Sequence, residues 1–417
     1  MRIPLYRSRP VAPSAARLGA QRVHDSIVLS EGCSNTYLLE TKEGAVLVNS
    51  GMAFEAPVHH RNFSDASEQA DQIRYLITTQ GHVDHVSGVP FFRGRCPDLS
   101  WIAQAGTLEH QTYENRLLAY RSARSAFRFA ARFREDAVYY AEHGFSMNVP
   151  LEPATPDLLF EERHELELGG LELELIAVRG AETNDSLIIW LPQHRICLTG
   201  NLFGCPFGHF PNLVTIRGDR YRDALICAEA AQVVMDLEPE TILYGHHAPV
   251  VGADLIRTEL TAYRDAIHYV HDAVVDGMNA GRSVHALMQE IELPPELEVG
   301  QGYGKVSWGV RAIWENYSGW FHHRSTTELY AVPQSDVFSD LVELAGVDAL
   351  IARARNKRDD GHLEEALHLV DIVLGDDPEQ AEARALSIEI HRSLLAEADN
   401  FWLDGWLENQ IEQLEGA

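Results

Sequence analysis

Gln80-Gly81-His82-Val83-Asp84-His85 sets two imidazoles and a carboxylate within four consecutive residues, with Gly81 inside the run and Gly88 just behind it. Neutral imidazole nitrogen and carboxylate oxygen are donors for first-row divalent cations, and a tight loop turns several of them toward one point. A lone histidine is more often an ordinary surface or core residue. Three such groups in one glycine-flanked loop make that reading the weaker one here. A second row, Arg124, Arg128 and Arg132 at four-residue spacing, reads as an anion-binding face or, with greater weight, as a solvated helix face balanced by neighbouring acids.

The loop must be delivered by a strand. Ile73 to Thr79 (IRYLITT) is an apolar β-type run that ends at the polar cluster, and α/β folds gather functional groups at the C-terminal ends of their strands. Before it, VHDSIVL, NTYLLE and AVLVNS form a strand meander with turns at Glu31-Gly32 and Glu43-Gly44. Thr107 to His143 has helical character. A second strand-rich half from Leu158 to Leu243 carries LLFEE, HELELGG, LELELIAV, SLIIWL, RICLTG and TILYG, broken by a helical stretch near Tyr221 to Met235. Two strand-rich halves bracketing helices predict an α/β sandwich over residues 1–253. From Asp254 strand signals stop, and helical periodicity runs through residues 254–417. Gly361 to Leu386 resembles one tetratricopeptide-type helix pair, and one unit does not make a solenoid.

Composition limits the partners. The chain has 417 residues, 45% hydrophobic and 23% charged, which fits a folded protein of two domains. Its 34 basic against 62 acidic residues give a formal charge of −28. Such a surface repels phosphate backbones and anionic lipid, leaving a small molecule as the expected partner, with no nucleic acid and no membrane. Five cysteines form no CxxC pair and read as buried, reduced thiols. The basic, Pro- and Ala-rich N-terminus holds no apolar run of signal-peptide length, so the expected location is cytoplasmic.

The motif resembles the HxHxDH signature of the metallo-β-lactamase superfamily, with Gln80 in the place of the first histidine. Ala45 to Gly51 is similar to that superfamily's early strand and turn, with Asn49 where an aspartate is usual. Leu198-Thr199-Gly200-Asn201 resembles the strand carrying the metal-bridging acid, with Asn201 in its place, and Tyr244-Gly245-His246 resembles the strand-end histidine. Arg179 to Glu182, Asn212-Leu213 and Thr215 to Gly218 narrow the likeness to the alkylsulfatase branch. The segments Tyr263 to Asp272, Leu293 to Leu297, Tyr303-Gly304 with Ser307, and Tyr317 to Trp320 resemble that branch's helical dimerisation domain.

The resemblance implies an αββα sandwich followed by an all-α dimerisation domain, and a metal-dependent hydrolase of an organic sulfate ester or related small ester acting through metal-bound water. It implies a first metal site of Gln80, His82 and Glu182, a second of Asp84, His85 and His246, and Asn201 between them. Asp84 is both ligand and proton acceptor. Gln80 and Asn201 exchange a nitrogen donor and an anionic oxygen for neutral amides, so the first site is the weaker one. The expected cofactor is a divalent metal, zinc first, in one or two copies, with manganese or iron as harder alternatives that accept amide oxygen. Asn212 and Arg217 are the substrate-binding candidates for an oxyanion. His59-His60 and His322-His323 lie off the motif. Alternatives are lactone, amide or phosphoester hydrolysis, metal-dependent redox chemistry, or a silent binding protein with a degenerate site. The chain ends without the sterol-carrier-like domain common in the branch, which favours smaller esters over long-chain detergents. Trp308, Trp314, Tyr317, Trp320 and Phe321 are expected to pack a domain interface. The apolar stripes after Asp336, ending in Trp402 and Trp406, are expected to form a homodimer.

Overall fold

The computed structural model describes Leu5, residues 14–220 and residues 222–416; most of the basic N-terminal stretch, and Tyr221 at the head of one predicted helix, lie outside the described residues. Contacts divide the chain into two units, the first ending at Asn316 and the second beginning at Tyr317.

The first unit is built on two sheets. One contains β1 (Gln21–His24), β2 (Ile27–Ser30), β3 (Thr36–Thr41), β4 (Gly44–Val48), β5 (Ile73–Ile77), β6 (Ser100–Gln104) and β7 (Leu158–Phe160), hydrogen-bonded in that order. Its first four strands are an antiparallel meander, and β4 through β7 are parallel. The other sheet has the order β13 (Val250–Val251), β12 (Thr241–Tyr244), β11 (Ile196–Gly200), β10 (Leu187–Leu191), β9 (Leu171–Ala177), β8 (Arg163–Leu168), with β11 and β12 parallel.

Leu158–Phe160 reads in the sequence with the second strand-rich half, but it closes the first sheet beside β6. A three-residue apolar run carries no record of its partner. The long crossover between β6 and β7 is what a parallel pairing requires.

Alternation within the strands explains the layers. In β4, Val46 and Val48 face the inter-sheet core with Leu39, Ile77, Leu175, Ile189 and Leu198, while Ala45 and Leu47 pack outward with Phe63 and Phe92. Both faces are buried, so the strand is apolar throughout. Phe63 and Phe92 come from α1 (Ala56–Ala66) and α3 (Val89–Arg95), which precede and follow the short α2 (Val83–Val86) on either side of the motif loop. The outer face of the second sheet is covered by α6 (Ala224–Asp236) and α7 (Ala253–Asn279), through Cys227, Ala231, Val234, Ile256 and Tyr263 against Ile188, Cys197 and Ile242. Asp223 caps α6 by accepting from Leu225 N at 2.9 Å and Ile226 N at 3.1 Å. The predicted helical region Thr107 to His143 is α4 (Thr107–Arg116) followed by α5 (Leu118–Glu142). The unit is completed by α8 (Val284–Glu290) and most of α9 (Val306–Ser318).

The second unit holds α10 (Phe338–Ala345), α11 (Val347–Asp359), α12 (Leu363–Asp376), α13 (Ala381–Glu397) and α14 (Phe401–Gly416). Ala366, Val370 and Val373 of α12 meet Ile351 and Ala354 of α11 and Ala383, Leu386 and Ile390 of α13 in one core. The tetratricopeptide-like stretch therefore is a packed helix pair. Trp402 is fully buried in the monomer and Trp406 is 45% exposed, so only Trp406 is left to the surface. Trp314 belongs to the core of the first unit, whereas Tyr317 and Trp320 are 58% and 71% exposed. All five cysteines are free and buried. No helix among the described residues is long and apolar enough to cross a membrane.

Candidate metal centre

Four parallel or sheet-central strands end at the same rim. The β5 end releases Thr78 to His85, β11 releases Asn201, β12 releases Gly245 and His246, and β4 releases Asn49. Asn49 turns the chain with φ 61°, a left-handed conformation that asparagine tolerates better than most residues. Its Oδ1 accepts from Thr79 N at 2.9 Å and Thr79 Oγ1 at 3.1 Å. Thr79 Oγ1 lies 3.4 Å from His85 Nδ1, and with its proton given to Asn49 it is left to accept from that nitrogen. His85 Nε2 then keeps its lone pair, 3.6 Å from Asp84 Oδ2 and accepting from Asn201 Nδ2 at 3.1 Å. An outer hydrogen bond that fixes the tautomer is how proteins prepare a ligating imidazole.

Asp84, His85 and His246 each offer a donor atom within 4.8 Å of the others. Burial pushes His85 down to about 3, and His246 down to about 4 although the Asp84 charge opposes it, so both rings are neutral and able to ligate. Burial raises Asp84, with His246 pulling the other way. His246 Nδ1 and Asn201 Oδ1 are buried without a hydrogen-bond partner. Asn201 Oδ1, an oxygen lone pair left unpaired beside the two neutral rings, fits a cation. Gly245 is required for this approach, since a Cβ there would lie 1.9 Å from Asn201 Oδ1.

The residues of the implied first site are neighbours but are otherwise engaged. Gln80 Nε2 sits 2.8 Å from His82 Nδ1, and Glu182 Oε1 is 4.0 Å from that same nitrogen. Glu182 pairs with Arg222, whose Nη2 reaches Oε1 at 2.8 Å while Nε and Nη1 donate at 2.9 Å to the Glu182 and Asn212 carbonyls. Burial raises the Glu182 carboxyl, and Arg222 opposes that rise. Asn212 is buried with neither amide atom hydrogen-bonded. It lines a narrow cavity with Glu182, Asn201, Arg222, His246 and Tyr303. The Arg217 charge acts on His82, Asp84 and Glu182. Its loop is propped by Arg124, which donates to Arg217 O at 2.9 Å and Ile216 O at 2.6 Å. Arg124 thus braces a loop at the site from an exposed helix face.

His59 is buried against Ser30 Oγ at 2.8 Å and His60 pairs with Asp71 at 2.7 Å. Both serve the fold. Sequence reasoning passed over Arg222, Asp185, Asp219, His110 and Glu114. Asp185 is fully buried and accepts from Thr183 Oγ1 at 2.6 Å and Thr107 Oγ1 at 2.7 Å. Gly81 lies so close to Asp185 and His110 that a Cβ would meet each at 2.8 Å. The one signal available was the i, i+4 spacing of His110 and Glu114 on a helix.

Comparisons with known proteins agree with this architecture. The chain is 24% identical over 403 residues to the linear primary-alkylsulfatase of Pseudomonas sp. (strain ATCC 19151), covering 91% of this chain and 74% of that protein. It is 26% identical over 411 residues to an (R)-specific secondary-alkylsulfatase of Pseudomonas sp., covering 92% of this chain and 60% of that one. The solved structure of the stereoselective inverting sec-alkylsulfatase Pisa1 from Pseudomonas sp. superposes with a TM-score of 0.82 at 23% identity, over 96% of this chain and 66% of that one. The chain thus spans 60% to 74% of the length of these two curated relatives. An alkyl sulfatase dimerisation profile matches residues 283–415. The metallo-beta-lactamase superfamily profile matches residues 30–246, the stretch that carries both sheets' strand ends and every histidine and acid of the rim; the chain belongs to that superfamily.

Proposed function

We propose that the protein is a metal-dependent hydrolase of organic sulfate esters or related small esters, with zinc on Asp84, His85 and His246. One observation carries the reading. His246 Nδ1, Asn201 Oδ1 and both amide atoms of Asn212 are buried without hydrogen-bond partners and border one narrow cavity. Unpaired polar atoms of this kind cost ~1–3 kcal/mol each unless a ligand completes them. A divalent ion held there would supply Lewis acidity and acidify a water. Asp84 would hold the ion and accept a proton. The Asn212 amide donates to an oxyanion, and the Arg217 cation balances its charge. His246 also borders a second cavity of about 540 Å³ with Arg17, Leu29, Glu31 and Asn35, a size that suits the organic portion of a small substrate. The relatives named as alkylsulfatases support the sulfate ester over other esters.

The catalytic region is residues 1–253 and the dimerisation region 254–417, supported by profile matches that end at 246 and begin at 283. The dimerisation profile also supports a homodimer. Five free thiols suit the reducing cytoplasm.

The test is sulfate release from a panel of short alkyl and aryl sulfates by the full chain loaded with zinc or manganese. Asn212→Ala and Arg217→Met are expected to raise KM, and His246→Ala to abolish turnover and lower bound metal. Loaded protein that cleaves lactones or phosphoesters but no sulfate would overturn the substrate assignment.

A further inference from the structure

The motif histidine His82 turns toward a helix that the family resemblance does not involve. We propose that His82, His110 and Glu114 form a divalent-cation site, for zinc or manganese, with His110 and Glu114 taking the ligand places otherwise given to Gln80 and Glu182. Donor atoms of the three residues lie within 4.8 Å of one another. His82 and His110 are 6% and 4% exposed, their rings meet edge to face at 5.2 Å, and the Nε2 of each is buried without a hydrogen-bond partner.

The protons decide what that pair can hold. Asn184 Nδ2 donates to the Glu109 carboxylate and, at 3.5 Å, to Gly106 O, which turns Asn184 Oδ1 toward His110 Nδ1 at 2.9 Å. A carbonyl oxygen only accepts, so His110 Nδ1 carries a proton, and in the neutral ring Nε2 holds the lone pair. That lone pair faces Glu114 Oε1 at 3.4 Å. Two acceptors facing each other in a buried site repel unless a cation lies between them. His82 completes the set. Gln80 Nε2 sits 2.8 Å from its Nδ1; the two ends of the amide have the same shape, and with the amide turned over Gln80 Oε1 would accept the Nδ1 proton and leave Nε2 open to the ion. In this arrangement Gln80 positions a ligand instead of being one.

Glu182 is held away by Arg222, at 4.0 Å from the His82 nitrogen that Gln80 already occupies. The competing cation is Arg121, which contacts Glu114 through Nη1 and Asp219 through Nη2 at 3.1 Å. Asp219 Oδ2 stands 4.0 Å from His82 Nε2, so Arg121 keeps a carboxylate partner when an ion takes Glu114.

The readout is metal stoichiometry, which is independent of whether the proposed ester hydrolysis holds. Chelator-treated full chain is titrated with zinc or manganese by calorimetry, and cobalt absorption reports the ligand field. Two equivalents are expected for the natural chain. Glu114→Gln and His110→Ala each remove one of them, and His246→Ala removes the other. Asn184→Leu weakens the first by ~10–100-fold, the usual loss when an orienting partner of a ligating histidine goes. If His110→Ala fails to fold, Glu114→Gln, on a half-buried residue, decides alone. Retention of both ions in Glu114→Gln, loss of that ion in Glu182→Gln instead, or a single ion in the natural chain lost only with His246 would overturn the site.

Discussion

Arg222→Met removes a guanidinium while keeping an apolar stem of similar reach. Arg222 makes three hydrogen bonds, one to the Glu182 carboxylate at 2.8 Å and two to carbonyls at 2.9 Å, with side-chain exposures of 8% for Arg222 and 13% for Glu182. Deleting one partner of so buried a pair leaves the other charge unmatched, at a cost of ~3–5 kcal/mol. The unit ending at Asn316 has an unfolding entropy of ~0.65 kcal/mol/K at ~2.1 cal/mol/K per residue, so the expected drop in Tm is ~5–8 °C. Glu182→Met on the same background removes the orphaned carboxylate and restores ~2 kcal/mol or more, because an apolar pair of like volume replaces a buried ion pair at little cost. The assay is thermal or urea unfolding of metal-free natural, single and double variants as a double-mutant cycle. A loss below ~1 kcal/mol for Arg222→Met, or strictly additive single costs, would refute the reasoning and return Glu182 to the metal-ligand role.

Elemental analysis of protein purified without chelator is expected to find one metal equivalent or more; metal-free protein that ignores micromolar zinc or manganese contradicts the centre on Asp84, His85 and His246. Asn201→Asp is expected to tighten the ion on Asp84, His85 and His246 by placing an anionic oxygen where the neutral amide stands; an unchanged calorimetric Kd for that ion counts against it. Light scattering of the intact chain at micromolar concentration should give a dimer mass, and truncation after residue 335 should give monomeric or aggregated protein; an intact monomer rules the dimer out. Burial lowers His59 to about 3, so the unfolded state takes up a proton near pH 6.5 that the folded state refuses. Its stabilising contribution is complete above pH 6.5 and falls by ~1.4 kcal/mol per unit as pH drops toward 3. His59→Gln should flatten the urea-derived stability slope between pH 6 and 4 by that amount, and an unchanged slope contradicts a neutral His59.

The sequence by itself determined the order of the elements, because each apolar run and its turn residues act locally. It also determined the chemistry of the His82 to His85 loop, whose donors are neighbours in the chain, and the late strand ends at Asn201 and His246 through their family resemblance. What only the tertiary structure decided is which of the remaining polar groups meet. Asn49 stands where an aspartate is usual, and only the packed rim reveals it orienting His85 through Thr79. Arg222 meets Glu182 across 40 residues of chain, and His110 meets His82 because α4 is laid against the motif loop where Gly81 leaves room. Such pairings depend on strand register and loop path, which set positions to within an ångström. Composition and periodicity constrain only which side of an element faces inward, so they leave those distances open.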